Sequence, residues 1–192
     1  MTTMISEESR LVSVLKYLGN NKSEDNTKFL LGVIMTTGEY AFARSNEYGH
    51  FTASAFIVNK DMTKVLLIKH LKHDMWLIPG GHIDDDESAL AASIRETEEE
   101  VGIKISDLTL LDYKILDIDV HRIPEDVRKC EPSHFHYDIR YIFKLNEAEE
   151  SIVLNENEAT EFHWMPINDI LNNESHILFN ITKKANNLLS KR

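Results

Sequence analysis

The chain of 192 residues has few cysteines, few basic residues and no long apolar stretch. Its single cysteine, Cys130, cannot form an intrachain disulfide, and a reducing compartment fits that count. The longest stretch without Asp, Glu, Lys or Arg is residues 48–59. A membrane-spanning helix needs about 20 apolar residues, so none is expected. The N-terminus lacks the basic and apolar regions of a secretory signal, and we expect a cytoplasmic protein.

Basic residues are outnumbered, since 21 Lys and Arg stand against 32 Asp and Glu and the formal net charge is −11 at pH 7. A protein of that charge repels a polyanion unless it carries a basic stripe, and the sequence shows none. Neither nucleic acid nor a membrane is therefore an expected partner. A content of 42% hydrophobic and 28% charged residues is typical of a soluble globular domain.

The acidic excess is concentrated in residues 81–103, where Arg95 is the single basic residue. Apolar side chains recur there at helical spacing, which predicts a helix with one face in the core: Leu90, Ile94, Thr97 and Val101. Three glutamates share an edge on roughly the opposite side: Glu96, Glu99 and Glu100. Like charges at this spacing destabilise a helix. The pattern therefore indicates neutralising cations that prefer oxygen ligands, Mg²⁺ or Mn²⁺.

The flanks of this helix predict its limits. Residues 84–87 are expected to supply the N-cap and the first turn, where carboxylates interact favourably with the helix dipole. Gly102 stands where a left-handed C-terminal residue is needed. Before the helix, residues 75–78 predict a short buried strand that ends at Pro79-Gly80-Gly81.

The spacing of these residues resembles the Nudix box, the signature of the Nudix hydrolase family. Its pattern is Gly, five residues, Glu, seven residues, then Arg-Glu-apolar-any-Glu-Glu-any-Gly-apolar. The chain matches with Gly81, Glu87 and Arg95-Glu96-Thr97-Glu98-Glu99-Glu100-Val101-Gly102-Ile103, and departs only in having Thr97 where an apolar residue is usual. The likeness covers residues 40–166. With the segment Gly49-His50-Phe51-Thr52-Ala53-Ser54-Ala55, it is similar to a little-characterised bacterial branch.

The resemblance implies a three-layer α/β/α sandwich around a mixed sheet. It also implies a metal-dependent pyrophosphohydrolase that cleaves a diphosphate bond in a nucleoside diphosphate linked to another moiety. Nucleoside triphosphates, ADP-ribose and nucleotide sugars all stay open as substrates. The alternative is a catalytically silent Nudix domain that acts as a nucleotide sensor or interaction module. A binding site has little reason to keep three crowded carboxylates, so the intact box argues against that alternative.

Within the box, Glu96, Glu99 and Glu100 are the expected metal ligands, together with the backbone carbonyl of Gly81. The resemblance also implies this role for the Gly81 carbonyl. Because glycine has no Cβ, the backbone can approach a metal ion closely. For the general base, two alternatives stay open: Glu96 or Glu99 of the box, or Glu158 in a later loop.

Two further box residues, Glu87 and Arg95, are expected to form an ion pair that fixes the loop against the helix. In that arrangement Arg95 orients a catalytic carboxylate.

A second polar group is predicted on two strands. Residues 134–145 alternate between polar and apolar, which predicts a strand with one apolar face. Asp117, Asp119 and His121 share one face of a second strand. If the strands are neighbours, the side chains predicted to bind substrate converge: Asp119, His121, His134, His136, Asp138 and Arg140. Such groups can bind a ribose, a base edge or a second metal, or form only a hydrated sheet face, and the resemblance favours a pocket wall.

Two histidines outside these strands, His82 and His50, are expected to have different roles. His82 lies beside the glycine-rich loop and is expected to contact phosphate. His50 is interpreted as structural or exposed.

Residues 1–40 are predicted to form a helical N-terminal arm before a Nudix hydrolase domain of residues 41–192. A helical apolar stripe ends at Leu18, and Ser23 is predicted to cap a second helix. The apolar faces of the arm need a partner, either the chain's own domain or a second subunit of a homodimer. Strands are also predicted at residues 51–58 and 65–69, with a closing helix over residues 177–190.

Overall fold

A computed structural model describes residues 9–72, 74–127, 130–146 and 152–191. Two short 3-10 helices, Gly38–Phe42 and Ile105–Asp107, accompany the main elements. In chain order the helices and strands are α1 (Arg10–Asn20), α2 (Thr27–Thr37), β1 (Gly49–Val58), β2 (Lys64–His70), β3 (Met75–Leu77), β4 (Gly80–His82), α3 (Ala89–Val101), β5 (Leu108–Leu110), β6 (Asp117–Ile123), β7 (His134–Leu145), β8 (Ala159–Pro166), α4 (Ile167–Leu171) and α5 (Phe179–Leu189).

The strands form one mixed sheet around the parallel pair β1 and β7. This pair runs in register from Gly49 opposite Phe135 to Val58 opposite Lys144. β2 and β4 pair antiparallel with β1, β3 and β8 with β2, and β5 and β6 with β7. β1 is buried along its whole length, as expected of a strand in a sheet that is covered on both faces.

An apolar core lies on each face of the sheet. Successive side chains of a strand point to opposite faces, so Phe51 and Phe56 of β1 belong to different cores. The first core contains side chains of α1, α2 and α3, and the second contains side chains of α4 and α5. The predicted three-layer α/β/α arrangement around a mixed sheet is confirmed.

The helical N-terminal arm is present and packs on the first core, where Val14, Leu18 and Leu30 are buried. Its apolar faces therefore find a partner within the same chain. The cap predicted at Ser23 is wrong, because α2 follows Asn26 and begins at Thr27. No helix in the described part of the chain is long and apolar enough to cross a membrane.

Two predicted boundaries around α3 differ from the structure. Ser88 caps the helix, since its hydroxyl accepts a hydrogen bond from the Ala91 N–H at 3.2 Å. Residues 84–87 thus precede the helix instead of forming its first turn. β3 is an edge strand with Met75 45% exposed, so the strand predicted to be buried is only partly so. Gly102 does adopt the left-handed conformation, with φ of 68°.

Candidate functional site

Helix α3 turns Glu96 and Glu100 toward the sheet, whereas Glu99 is half exposed. Glu100 is only 2% exposed, and the side chains of Glu96 and Glu99 are 14% and 51% exposed. Thr97 is fully buried, as its place in the predicted stripe requires, and its hydroxyl donates to the Ser93 carbonyl at 2.7 Å. The acidic edge predicted on roughly the opposite side from the apolar stripe is therefore partly buried, because Glu100 lies within the buried arc of the helix.

Strand β4 places the glycines of the predicted loop directly against these glutamates. The Gly80 N–H donates to Glu100 Oε2 at 2.8 Å. A Cβ atom on Gly81 would lie 2.5 Å from the Glu96 carboxylate, and one on Gly80 would overlap the Ser54 hydroxyl. Glycine is needed at position 80, because backbone atoms of β1 lie in the way of a Cβ, whereas at position 81 a Cβ would displace the Glu96 carboxylate. The backbone of the loop can reach any ion that the carboxylates hold.

The environment of these carboxylates favours their neutral forms. Burial raises the pKa of Glu100 to about 8, and the charges of Glu96, Glu158 and Glu99 act in the same direction, while the Gly80 N–H opposes them. Burial also raises the pKa of Glu96 against the effect of Arg95. Desolvated carboxylates that repel one another are stabilised by a bound cation.

Arg95 links α3 to the preceding loop. Its guanidinium donates to both carboxylate oxygens of Glu87, at 3.1 and 2.9 Å, and to the His82 carbonyl at 2.8 Å. Another of its nitrogens donates to Glu96 at 2.8 Å and to Glu99 at 3.2 Å. Burial tends to raise the pKa of Glu87, but the hydrogen bonds from Arg95 and Asp84 lower it overall. This bidentate geometry fixes where Glu96 points.

Glu158 approaches the box from the loop before β8. Its charge raises the pKa of both Glu96 and Glu100, and its backbone carbonyl accepts a hydrogen bond from the Leu71 N–H at 2.7 Å. The structure thus brings this late-loop glutamate to the carboxylates of α3, which are remote from it in sequence. The set of hard oxygen donors, Glu96, Glu99, Glu100 and Glu158, fits Mg²⁺ or Mn²⁺.

The two strands predicted to carry the second polar group, β6 and β7, are neighbours. Asp119 lies opposite Asp138, and His121 lies opposite His136. The predicted residues nevertheless separate into two groups, one of histidines and one of buried charges.

The histidine group lies where β1, β4 and β7 meet. The ring centroids of His50 and His136 are 4.9 Å apart, and those of His82 and His136 are 5.3 Å apart. Burial lowers the pKa of His82 to about 4 and that of His136 to about 2, so these rings are neutral at pH 7. His134 adjoins the group and His121 lies at its rim, 42% exposed and 2.9 Å from Asp119.

The buried charges are centred on Arg140, whose side chain is 8% exposed. Its guanidinium contacts Asp138 at 2.8 Å, Asp119 at 3.1 Å and Asp117 at 3.5 Å. The second oxygen of Asp138 accepts hydrogen bonds from two hydroxyls of β1, at 3.1 and 2.8 Å: Thr52 and Ser54. Asp138 and Arg140 are thus satisfied by protein groups, and direct substrate contact at these two residues stays a prediction.

The sequence interpretation missed His50, Thr52 and Ser54 as members of this polar face. The signal was present, because the three residues alternate along β1 and therefore share one face. Only the parallel pairing of β1 with β7 sets His50 beside His136 and Thr52 beside Asp138. The interpretation of His50 as structural or exposed did not place it in the histidine group, where it lies 2% exposed beside His82 and His136.

Comparison with known proteins agrees with this geometry. The family model described as NUDIX domain matches residues 49–184. Among curated proteins, a protein from Lactococcus lactis subsp. cremoris named "Probable DHNTP pyrophosphohydrolase" is 27% identical over 142 residues, covering 74% of this chain and 82% of that protein.

Solved structures give the same result. A hydrolase of the NUDIX family from Clostridium perfringens is 31% identical with a TM-score of 0.50, covering 74% of this chain and 97% of that one. The C. elegans Ap4A hydrolase in a binary complex has a TM-score of 0.59 at 21% identity, covering 74% of this chain and 98% of that one. At that identity the second likeness concerns the fold alone.

Proposed function

The chain belongs to the Nudix hydrolase family, and from that premise we propose that it hydrolyses a diphosphate bond in a nucleoside diphosphate linked to another moiety. Mg²⁺ or Mn²⁺ held by Glu96, Glu99 and Glu100 is the proposed cofactor. One observation carries the proposal: the carboxylates of Glu100 and Glu96 lie against Gly80 and Gly81, and burial raises the pKa of both, with the charges of Glu99 and Glu158 acting in the same direction. A dication removes that electrostatic cost.

Hydrolysis of a diphosphate requires water to attack phosphorus while negative charge builds on the phosphate oxygens. When bound, the divalent ion would neutralise that charge and make the attacking water more acidic. Arg95 holds Glu96 in place through the contacts at 2.8 Å and through its bidentate pair with Glu87. Since Glu99 is half exposed and Glu158 is partly so, both can face the water, and both are candidates for the general base.

Substrate selection is assigned to the polar face that continues from β4 along β1, β7 and β6. His82 joins this face to the loop, because its carbonyl accepts from Arg95 at 2.8 Å while its ring lies in the histidine group. Asp119 and His121 are the partly exposed members at the far side. A ribose or base edge next to the diphosphate would meet these donors and acceptors, in nucleoside triphosphates, ADP-ribose and nucleotide sugars alike.

The experiment is a hydrolysis panel with Mg²⁺, with Mn²⁺ and with chelator. The substrates are deoxynucleoside triphosphates, ADP-ribose, nucleotide sugars, dinucleoside polyphosphates and an RNA with a 5′-triphosphate. We expect metal-dependent turnover of one small-nucleotide class and little turnover of the RNA, since the chain carries a net charge of −11.

Substitutions test whether hydrolysis depends on the glutamates of the box. Glu99→Gln and Glu100→Gln should each lower kcat by at least about 100-fold, the scale at which single charge-stabilising groups act. Glu98→Gln is the matched control, because Glu98 is exposed on the same helix. Tight metal binding without turnover of any substrate would support the sensor alternative instead. Near-normal turnover in the Glu99 or Glu100 variant would contradict the ligand assignment.

A further inference from the structure

Three imidazoles converge where β1, β4 and β7 meet, in a group apart from the carboxylates of α3. One ring nitrogen from each of His50, His82 and His136 lies within 4.8 Å of the other two. Two nitrogen ligands of a tetrahedral zinc ion lie ~3.4 Å apart at the usual Zn–N distance. Closure of the rings by at most ~1.4 Å would therefore complete a three-histidine site.

Two of these nitrogens have no other role within the described residues. The Nε2 atoms of His50 and His82 are buried and have no hydrogen-bond partner there. An unsatisfied buried polar atom costs about 1–3 kcal/mol, so a protein seldom retains two of them side by side. A cation that accepts a lone pair from each nitrogen would satisfy both atoms.

Hydrogen bonds to neighbouring groups fix which ring nitrogen of His50 and of His136 is unprotonated. His50 Nδ1 lies 3.4 Å from the Asn46 carbonyl, which accepts its proton and leaves Nε2 unprotonated. His134 Nδ1 donates to the Pro132 carbonyl at 2.8 Å. His134 Nε2 is then an acceptor, so the contact of 3.2 Å between it and His136 Nε2 is a hydrogen bond donated by His136. That bond leaves His136 Nδ1 as the unprotonated nitrogen. Backbone carbonyls and neighbouring side chains commonly fix metal-binding imidazoles in this way.

We propose that His50, His82 and His136 bind a divalent transition-metal ion of the zinc class, at a site separate from the carboxylate site of α3. Neutral imidazole nitrogens suit Zn²⁺, Co²⁺, Ni²⁺ and Fe²⁺, whereas Mg²⁺ takes oxygen ligands. Three protein ligands leave a fourth position open. His82 and His136 are partly exposed, so that position opens to the polar face of the sheet, where it can take water or an oxygen of a ligand.

The two sites differ in chemistry but share one residue. His82 contributes its ring to the imidazole site and its carbonyl to Arg95 of the box. The inference does not rest on the proposed hydrolysis, since metal binding can be measured without substrate. If the chain binds zinc through the histidines and hydrolyses no substrate, the inference stands and the proposed function fails.

The test is competition for Zn²⁺ between the full chain and a chromophoric chelator. The protein is first treated with EDTA and desalted, and excess Mg²⁺ is present to occupy the carboxylate site. The wild-type chain should bind one Zn²⁺ that Mg²⁺ does not displace, and substituted Co²⁺ should give the strong visible absorption of a four-coordinate ion. His136→Ala and His82→Gln should each weaken zinc binding by at least about 100-fold. The control His163→Gln changes an exposed histidine of β8 and should bind as the wild type does.

Folding of each variant is checked by circular dichroism and thermal unfolding. His82→Gln keeps the test decisive if His136→Ala does not fold, because His82 is partly exposed on a three-residue strand. Two results would overturn the inference. One is unchanged zinc affinity in the folded His82 variant, and the other is zinc binding that Glu99→Gln abolishes while the histidine substitutions do not.

Discussion

The Gly80 N–H donates to Glu100 Oε2 at 2.8 Å, across twenty positions of the chain. This hydrogen bond ties the glycine loop to a carboxylate that is 2% exposed and has a pKa of about 8. The carboxylate site is therefore built on a group that is neutral or charged according to pH and metal.

The pKa of Glu100 predicts how the stability of the metal-free protein depends on pH. The unfolded carboxyl titrates near 4.5 and the native one near 8, so between these values the native state binds more protons. Glu100 therefore lowers the free energy of unfolding as pH rises through that window, by at most about 1.4 kcal/mol per pH unit. In Glu100→Gln this loss is absent. Urea denaturation in EDTA, from about pH 5 to about pH 8, should show that the free energy of unfolding of the variant rises relative to that of the wild type as the pH increases.

The control is Glu98→Gln, whose difference from the wild type should not change over the same pH range because the side chain is exposed. Parallel curves for the wild type and Glu100→Gln would mean that Glu100 has an ordinary pKa in the native state.

Gly81→Ala tests the close approach of the loop to α3. The added Cβ would lie 2.5 Å from the Glu96 carboxylate, so Glu96 must move and its contact with Arg95 at 2.8 Å must break. We expect a loss of stability of about 1–3 kcal/mol and a fall in kcat in the hydrolysis assay. Gly19→Ala is the matched control, since nothing lies within 4 Å of its added Cβ and it sits in a helix, where alanine is favoured. Full activity of Gly81→Ala would show that the position of Glu96 is not critical.

Arg140→Met tests the buried charge network. Removal of the guanidinium leaves Asp138 buried without its cation, whereas Asp117 keeps its contact with Lys184. Breaking a buried pair in this way costs about 3–5 kcal/mol. Arg122→Met, on the neighbouring strand β6, removes an exposed guanidinium that contacts Ser133, and it should cost less than about 1 kcal/mol. Chemical denaturation at pH 7 measures both. Equal effects would mean that burial adds nothing to the role of Arg140.

Leu18→Ala tests whether the helical arm formed by α1 and α2 unfolds with the rest of the chain. Leu18 is 1% exposed within the first core, so the substitution should cost about 2–5 kcal/mol in a single cooperative transition. Leu15→Ala, at a position that is 40% exposed, should have little effect. Thermal unfolding followed by circular dichroism and by tryptophan fluorescence distinguishes the possibilities, because an independent arm would give two transitions.

The sequence by itself predicted the strand-loop-helix unit of the box, the left-handed conformation of Gly102, the existence of the strands β6 and β7, and the helical arm. These features depend on local chemistry, since periodicity, capping residues and glycine conformation act within a few positions of one another. For the same reason the boundary errors at Ser23 and Ser88 are small, because several nearby side chains could serve as caps.

The rotation of α3, the approach of Glu158 and the membership of His50 in the histidine group were decided only by the tertiary structure. Wheel geometry places Glu100 opposite an apolar stripe, but the helix packs with Ala92, Ser93 and Glu100 inward. The small side chains of Ala92 and Ser93 let the sheet come close, and the Gly80 N–H binds the Glu100 carboxylate. The parallel pairing of β1 with β7 joins residues about 86 positions apart. No local pattern encodes such a contact, because its energy arises only when both strands are packed in the same sheet.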